Sequence, residues 1–541
     1  MTTGLLVALA LAQAGTTPQE KKAIPAFPTR AEAVTVDVVV VDKQGRPVRG
    51  LTAADFTVLE EGRPQTVVGF EAADLSVALP EPPAAASDAV ASNVKAADSR
   101  PGRAFVFVVD DLGLDPIRGM VDTKKAIAQW LETKALPSDE VTIVNTSGDV
   151  YWSDRVGVGR EDLLGVLAGL KSRRPSQNPN EVMSDWEAYQ IAEFDGNQPA
   201  GAGRTIVDRV RERWLRSGAC FEQSPCLPSI KARALEIYDR IKRRARAMLG
   251  TVERVSAGLG AWRGRKSILI FSEGFIRDAS LDEAENAIRA SQRGNSAVYF
   301  IDARGLVAEG FYRAEGGAAP NPADVGSMTI EDAVLATAGG EYLAEATGGI
   351  AVRNTNDLTQ GLGTVLDESS VYYLLGYQPE KAPDGKWRKL TVKVGRPGLK
   401  VRARRGYYAS PAVTVAAAGP TEAEELAQSR LLAPSMAVGG ERNQISLRLA
   451  AHPVGPGEGD LVRVLVGLEV DTAGLEFKTT GASRSAWLEL TLASVSRERP
   501  KILVIEDKAE ILASPDGGTA PWSFNRELSV PLGVTQLRMQ V

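Results

Sequence analysis

The chain of 541 residues has a single histidine, His452, and only two cysteines, Cys220 and Cys226. One imidazole excludes a multi-histidine metal centre, and two thiols exclude the paired CxxC arrangement of a structural zinc site. A serine-type triad would have to recruit His452 from AAHPVGPGEG, a turn-like setting late in the chain, and a loop histidine is the plainer reading. Basic excess is missing as well. A formal net charge of −5 leaves no electrostatic footprint for a phosphate backbone, so nucleic acid is not an expected partner. Long apolar runs are absent too: no stretch approaches the roughly 18 residues that span a bilayer, and the mature chain is expected to have no transmembrane segment.

What is present is the composition of a folded protein of two to four domains, 44% hydrophobic and 24% charged. The first residues, MTTGLLVALALAQAG, hold a short apolar core from Leu5 to Ala12 and a small-x-small Ala12-Gln13-Ala14, although the usual basic n-region is missing. Residues 1–14 are expected to be a signal peptide cut after Ala14, which places the protein outside the cytoplasm, secreted or periplasmic. In that oxidising setting CFEQSPC offers two readings, a small loop closed by a Cys220–Cys226 disulfide or two unpaired thiols.

Periodicity divides the rest. Alternating valines from Val34, the turn DKQG, and FTVLE with TVVGF around Glu61-Gly62-Arg63-Pro64 predict a small β-module over 31–75. A Pro/Ala/Ser-rich linker spans 76–102. From 103 to 370, buried-type strands (Phe105–Val109, Val141–Val144, Ser267–Phe271, Ala297–Ile301, Gly349–Val352) alternate with helical patterns. That alternation predicts an α/β fold, a doubly wound, mostly parallel sheet. A polar, Pro-containing insertion at about 172–228 is expected as an excursion near its top face. A long helix from Ile230 to Leu259 carries an apolar stripe, and its Lys242, Arg243, Arg244 and Arg246 read as a solvated face. Segment 371–409 reads as a β-hairpin extension around the turn GRPG, with one strongly basic face. A second linker, 410–437, leads to a β-sandwich-like domain, 438–541, whose last strand-like run stops without a turn, as an incomplete domain would.

The stretch FVFVVDDLGL, from Phe105 to Leu114, poses the functional question, because an apolar strand runs into Asp110 and Asp111 at the edge where α/β sheets bind ligands. The strand closed by Asp110, the later FSEGF (Phe271 to Phe275), AVYFIDARG and ATGGIAVRN together resemble the von Willebrand factor type A domain. The flanking VDVVVVDKQGRPVRGLTAADFTVLEEGRPQTVVGFE and YYLLGYQP…WRKLTVKV…LKVRARRGYY resemble, more closely, the bacterial, acidobacterial-type VWFA-related family. The resemblance runs from about Val34 to Tyr408.

The resemblance implies protein–protein interaction or adhesion at the top of the α/β sheet, with no enzymatic activity and no cofactor other than Mg²⁺ or Ca²⁺. The family's metal-ion-dependent adhesion site uses an Asp-x-Ser-x-Ser loop, a Thr on a second loop and an Asp after a later strand. Asp110 matches the first Asp, Leu112 and Leu114 replace both serines, and Ser272-Glu273-Gly274 stands where Ser-Asp-Gly is usual. For the Thr the candidate is Thr205. A shifted frame adds Asp115 but sets it against helix capping. The implied ligand-binding set is therefore Asp110, Asp111, Ser272 and Glu273, with Asp110, Asp115 and Glu273 around an ion, in a degenerate site. The bland alternative makes Asp110 and Asp111 loop-capping groups. The expected partner is a protein, with association at the envelope surface; the competing classes are an envelope scaffold without a ligand site and a carboxylate-dependent hydrolase.

Overall fold

The computed structural model describes residues 34–540 apart from 75–89, 93–102, 149, 176–179, 198–204, 222–225, 260–265, 278–280, 306–321, 369, 382–383, 385, 410–444, 473–474, 476, 481–482, 498–501 and 513–520. The expected signal peptide, 1–14, and the connector 410–437 lie outside the described residues.

Strand β1 (Val34–Val41) buries Val36, Val38 and Val40. The Asp55 carboxylate then accepts the Thr52 N–H at 2.8 Å to cap a single 3-10 turn ahead of β2 (Phe56–Glu60). A tight turn at Glu61 and Gly62, both at positive φ, sends the chain into β3 (Arg63–Gln65), which pairs with β2. β4 (Val67–Asp74) leaves that pair for a different sheet. A short β5 (Val90–Ser92) falls inside the stretch expected as a pure linker.

The centre alternates as its pattern predicts. In chain order it runs β6 (Ala104–Val109), α1 (Gly119–Thr133), β7 (Glu140–Asn145), β8 (Tyr151–Arg155), α2 (Val156–Gly169), α3 (Asp185–Phe194), α4 (Ile206–Ser217), α5 (Cys226–Gly258), β9 (Lys266–Ser272), α6 (Asp282–Arg293), β10 (Ser296–Asp302), α7 (Pro322–Thr347), β11 (Ala351–Val352) and α8 (Leu358–Glu368). The six strands form one sheet in the order β11-β10-β9-β6-β7-β8, parallel except for β8. All six residues of β6 are buried because both faces are covered. Phe105, Phe107 and Val109 join the core under α1, α2 and α8; Val106 and Val108 join the one under α5, α6 and α7. On α1, Met120, Thr123, Ile127, Trp130 and Leu131 recur at helical spacing on the buried face, and Trp130 meets Phe105 and Phe107 edge-on at 5.2 and 5.4 Å.

The insertion is more ordered than its polarity implied. Capping boxes at Ser184/Glu187 and Thr205/Asp208 start α3 and α4. Ile191, Val210, Trp214, Ile230 and Ile237 build a small core between these helices and α5, and the Cys220–Cys226 disulfide ties the end of α4 to the start of α5.

Strands β12 (Val371–Tyr377), β13 (Trp387–Val394), β14 (Lys400–Arg402) and β15 (Gly406–Tyr408) do not form a separate hairpin extension. They interleave with β1 to β4 in two sheets, β14-β1-β12-β4 and β15-β13-β2-β3, around Val38, Phe56, Tyr373, Leu375 and Leu390. Alternation shows which side of each strand is buried, but not its partner, and so the segments read as two modules. A buried cluster spans the four segments: Glu60 accepts from Tyr377 at 2.6 Å, Tyr407 at 3.0 Å and Arg388 at 3.3 Å. Burial, reinforced by the hydrogen bond to Glu60, pushes the Tyr377 phenol far above its ordinary value and keeps it a donor.

The last unit contains β16 (Leu447–Pro456), β17 (Leu461–Val470), β18 (Lys478–Thr480), β19 (Ser483–Ser496), β20 (Ile502–Leu512), β21 (Trp522–Pro531) and β22 (Thr535–Gln540), all antiparallel. One sheet, β21-β17-β16-β5, recruits the short strand from the earlier stretch; the other pairs β19 with β18, β20 and β22. His452 sits within β16 opposite Leu465, in a strand and not in a turn. The unit leans on the α/β sheet through Arg497–Asp162 at 2.5 Å and Gln536 to the Ser153 carbonyl at 2.9 Å.

Deleting one member of a buried charged network strands the others. Glu60→Ala is expected to lower unfolding stability by about 3–5 kcal/mol in a urea titration, and Glu60→Gln, which keeps an acceptor for Tyr377, by less. An effect of Glu60→Ala under about 0.5 kcal/mol, the scale of an ordinary surface change, contradicts this role.

Candidate functional site

Sequence order reverses between β6 and β9: from β6 the chain works outward through β7 and β8, from β9 through β10 and β11. Loops leaving the carboxyl ends of two such strands diverge and open a crevice, where open α/β sheets bind ligands. Asp110 and Asp111 leave β6 at this point, and Ser272 and Glu273 leave β9 beside them. The four residues expected to bind ligand are thus brought together.

Asp110 and Asp111 are buried, at 1% and 0% exposure, so their charges require partners within the protein. Ser272 donates to Asp110 Oδ2 at 2.6 Å, and Thr146 Oγ1 lies 3.1 Å from Asp110 Oδ1 and 3.0 Å from Asp111 Oδ1. A hydroxyl carries one proton, so Thr146 serves one of the two carboxylates at a time. Asp111 takes further bonds from the Ser147 hydroxyl at 2.6 Å, the Ser147 N–H at 3.0 Å and Asn145 Nδ2 at 3.0 Å. Those donors come from the end of β7 and the loop that follows it. Gly113 lets this happen: a Cβ there would lie 2.2 Å from Asp110 Oδ2 and 3.1 Å from Arg244 Cδ.

Three arginines close the cluster. Arg174 Nη1 reaches Glu273 Oε2 at 2.5 Å and the Gly113 carbonyl at 3.2 Å, while the Asp115 N–H donates to Glu273 Oε1 at 2.7 Å. Arg173 Nε stands 3.6 Å from Asp111 Oδ2. Arg244, on α5, bonds Asp185 Oδ2 at 3.2 Å. Burial raises the Asp110 carboxyl above its ordinary value of 3.8, against the pull of the Arg244 charge and the Ser272 and Thr146 hydroxyls. For Arg244, burial works against the charged form, but the Asp185 and Asp110 charges outweigh it and leave the guanidinium more strongly protonated than usual.

This donor set does not fit a divalent ion. Mg²⁺ or Ca²⁺ needs six or more oxygens directed at one point. Here the Asp110, Asp111 and Glu273 oxygens accept from hydroxyls, amides and guanidinium groups. Leu114 is fully buried in the apolar core where the family pattern has serine. Asp115 spends Oδ1 on the Ile117 and Arg118 N–H groups at 3.0 and 2.9 Å, capping the approach to α1. Among the described residues, no group of three or more His, Cys, Asp or Glu side chains is placed to hold a metal. Thr205 is likewise elsewhere: its hydroxyl accepts the Asp208 N–H at 3.2 Å and caps α4. The threonine at the site is Thr146.

Asn145, Thr146, Ser147 and Arg244 had signals in the sequence. Asn145-Thr146-Ser147 directly follows the strand Val141–Val144, the same position that singled out Asp110 after β6. Arg244 lies three residues after Ile241 and four before Met248, on the helix stripe itself, which turns it toward the protein and away from solvent. Arg173 and Arg174 follow α2 without a periodic cue. No protein-family model, curated protein or solved structure matches the chain.

The burial of Asp110 sets a pH dependence. A carboxyl raised in the folded state binds more protons there than in the unfolded chain between 3.8 and its raised value. Its favourable contribution is complete below 3.8 and is lost as pH rises through the folded value. Urea unfolding of wild type and Asp110→Asn across pH 3.5 to 7.5 is expected to show the variant gaining stability relative to wild type with rising pH; a relative loss contradicts the account.

Proposed function

We propose that the chain is an extracytoplasmic interaction protein of the von Willebrand factor type A kind, binding a protein partner at the strand-end rim through arginine and apolar side chains without a metal ion. The flanking segments that resemble the VWFA-related family support the family reading, and the disulfide supports an oxidising location. Among the described residues, no helix is long and apolar enough to cross a membrane.

The observation that carries the reading is the surface beside the carboxylates. Ile117 is 84% exposed and Val121 53% exposed at the start of α1, flanking Arg118, whose side chain is 54% exposed. Arg173, at 52%, continues the positive edge. Exposed aliphatic side chains beside guanidinium groups favour a protein partner with carboxylates set around an apolar contact, since arginine recognises carboxylate in a planar fork. Asp111 stands 3.6 Å from Arg173, and Arg118 is held by Asn356 at 2.7 Å and by Asp122; the buried carboxylates do not act on the partner themselves. The reading is non-catalytic. The Ser272 hydroxyl is fully buried, donates to Asp110 and accepts the Gly274 N–H at 3.0 Å, and the imidazole of His452 belongs to the distant β16.

A pulldown from envelope extract tests this with three exposed substitutions that leave the core untouched. Ile117→Asp and Arg118→Glu are each expected to lose the partner captured by wild type, while Leu532→Asp, on the C-terminal unit, keeps it. Equal capture by all four proteins overturns rim recognition in favour of a scaffold.

A further inference from the structure

Away from the rim, the way the chain returns to its first β unit leaves a second concavity. Trp387 begins β13 and Arg405 precedes β15; they face Glu285 and Ile288 of α6 and Tyr342 and Ala346 of α7 across a cavity of about 320 Å³. This lies at the seam between the α/β layer and the interleaved β-sandwich, the kind of boundary where small ligands bind, and at the lower end of the ~300–1,000 Å³ range of such pockets. The volume suits one ring and not an extended chain.

The lining has three qualities at once. It has an aromatic platform: the Trp387 indole lies over Gly406, where a Cβ would come within 2.4 Å of Cζ2 and 2.6 Å of Cε2, and the residue is still 40% exposed. A side chain at 406 would displace the ring. It has an apolar floor in Ile288 and Ala346. Its polar groups have mixed sign: the Glu285 carboxylate accepts from the Tyr342 hydroxyl, Arg277 covers the Tyr342 ring at 3.9 Å, and Arg405 pairs with Glu345 at 2.7 Å. One acidic and one basic group line the cavity, so a small anion meets Glu285 and a small cation meets Arg405. Neither charge is favoured.

We propose that this cavity binds a neutral hexopyranose ring. A pyranose has one face of C–H groups that stacks on an indole, and its hydroxyls both donate and accept. They match a site lined by a carboxylate acceptor, a guanidinium donor and an aromatic ring, whereas a uniformly charged ligand satisfies only one of the two charges. The site is independent of partner binding at the rim.

Saturation-transfer NMR on the full chain tests it with methyl β-glucopyranoside, methyl β-galactopyranoside and N-acetylglucosamine at millimolar concentration, and with acetate, tetramethylammonium and adenosine as charged and planar heteroaromatic controls. The expected result is transfer to the C–H protons of one ring face for at least one of the sugars. That transfer is lost in Trp387→Ala, partly retained in Trp387→Phe and weakened in Glu285→Gln. Arg405→Ala, at a position 66% exposed in its side chain, is a variant that leaves the indole packing intact and is also expected to weaken transfer. No transfer to any of the three sugars, transfer unchanged in Trp387→Ala and Arg405→Ala, or stronger transfer to a control than to every sugar overturns the proposal.

Discussion

Two adjacent carboxylates are buried at the end of the central strand, and everything around them is arranged to make that tolerable. An isolated buried charge costs several kcal/mol, so Asp110 and Asp111 persist only because hydroxyl, amide and guanidinium donors surround them. The surrounding groups come from different parts of the chain: Ser272 from the end of β9, Asn145, Thr146 and Ser147 from the end of β7 and the loop after it, Arg173 from beyond α2, and the charge of Arg244 from α5. The cluster therefore fixes the relative placement of loops that sequence separates widely. Arginine side chains supply positive charge at this crevice, Arg173 beside Asp111 and Arg174 on Glu273. A guanidinium differs from an ion in that it is covalently attached and always charged.

The same economy of long-range return shapes the rest. The first β unit is completed only when the chain comes back after the α/β layer, and Glu60 is satisfied by residues from that return. The C-terminal sandwich takes its edge strand from residues 90–92 and docks on β8 and α2. One consequence of the first return is the cavity against α6 and α7, since β13 and β15 bring Trp387 and Arg405 to helices formed much earlier in the chain.

Strand positions and buried helix faces were legible in the sequence because burial on both sides of β6, β7, β9 and β10 demands unbroken apolar runs, and the α5 stripe repeats at helical spacing. Asp110, Asp111, Ser272 and Glu273 were legible because they end strands of that sheet. Strand partners were not. FTVLE and TVVGF look like one hairpin, yet β2 pairs with β3 and β13 while β4 goes to β12, because alternation is silent on pairing. Charged residues were misread in the same spirit. Arg244 belongs to a basic run that looks solvated, and only its phase relative to Ile241 and Met248 distinguishes it from Arg243. The order of the insertion was hidden for another reason: its small core is assembled from short helices whose caps and disulfide do the work that length does elsewhere.

The central claim, that a guanidinium stands where a cation would be bound, is tested most directly by titrating Mg²⁺ and Ca²⁺ into wild type and Arg174→Met while following thermal unfolding and calorimetric heat. A ligand that binds only the folded state raises the unfolding temperature saturably. Wild type is expected to show neither a saturable shift nor binding heat at millimolar ion, and Arg174→Met, which exposes Glu273, is expected to gain a weak one. Saturable binding by wild type that is lost in Asp110→Ala would contradict the account.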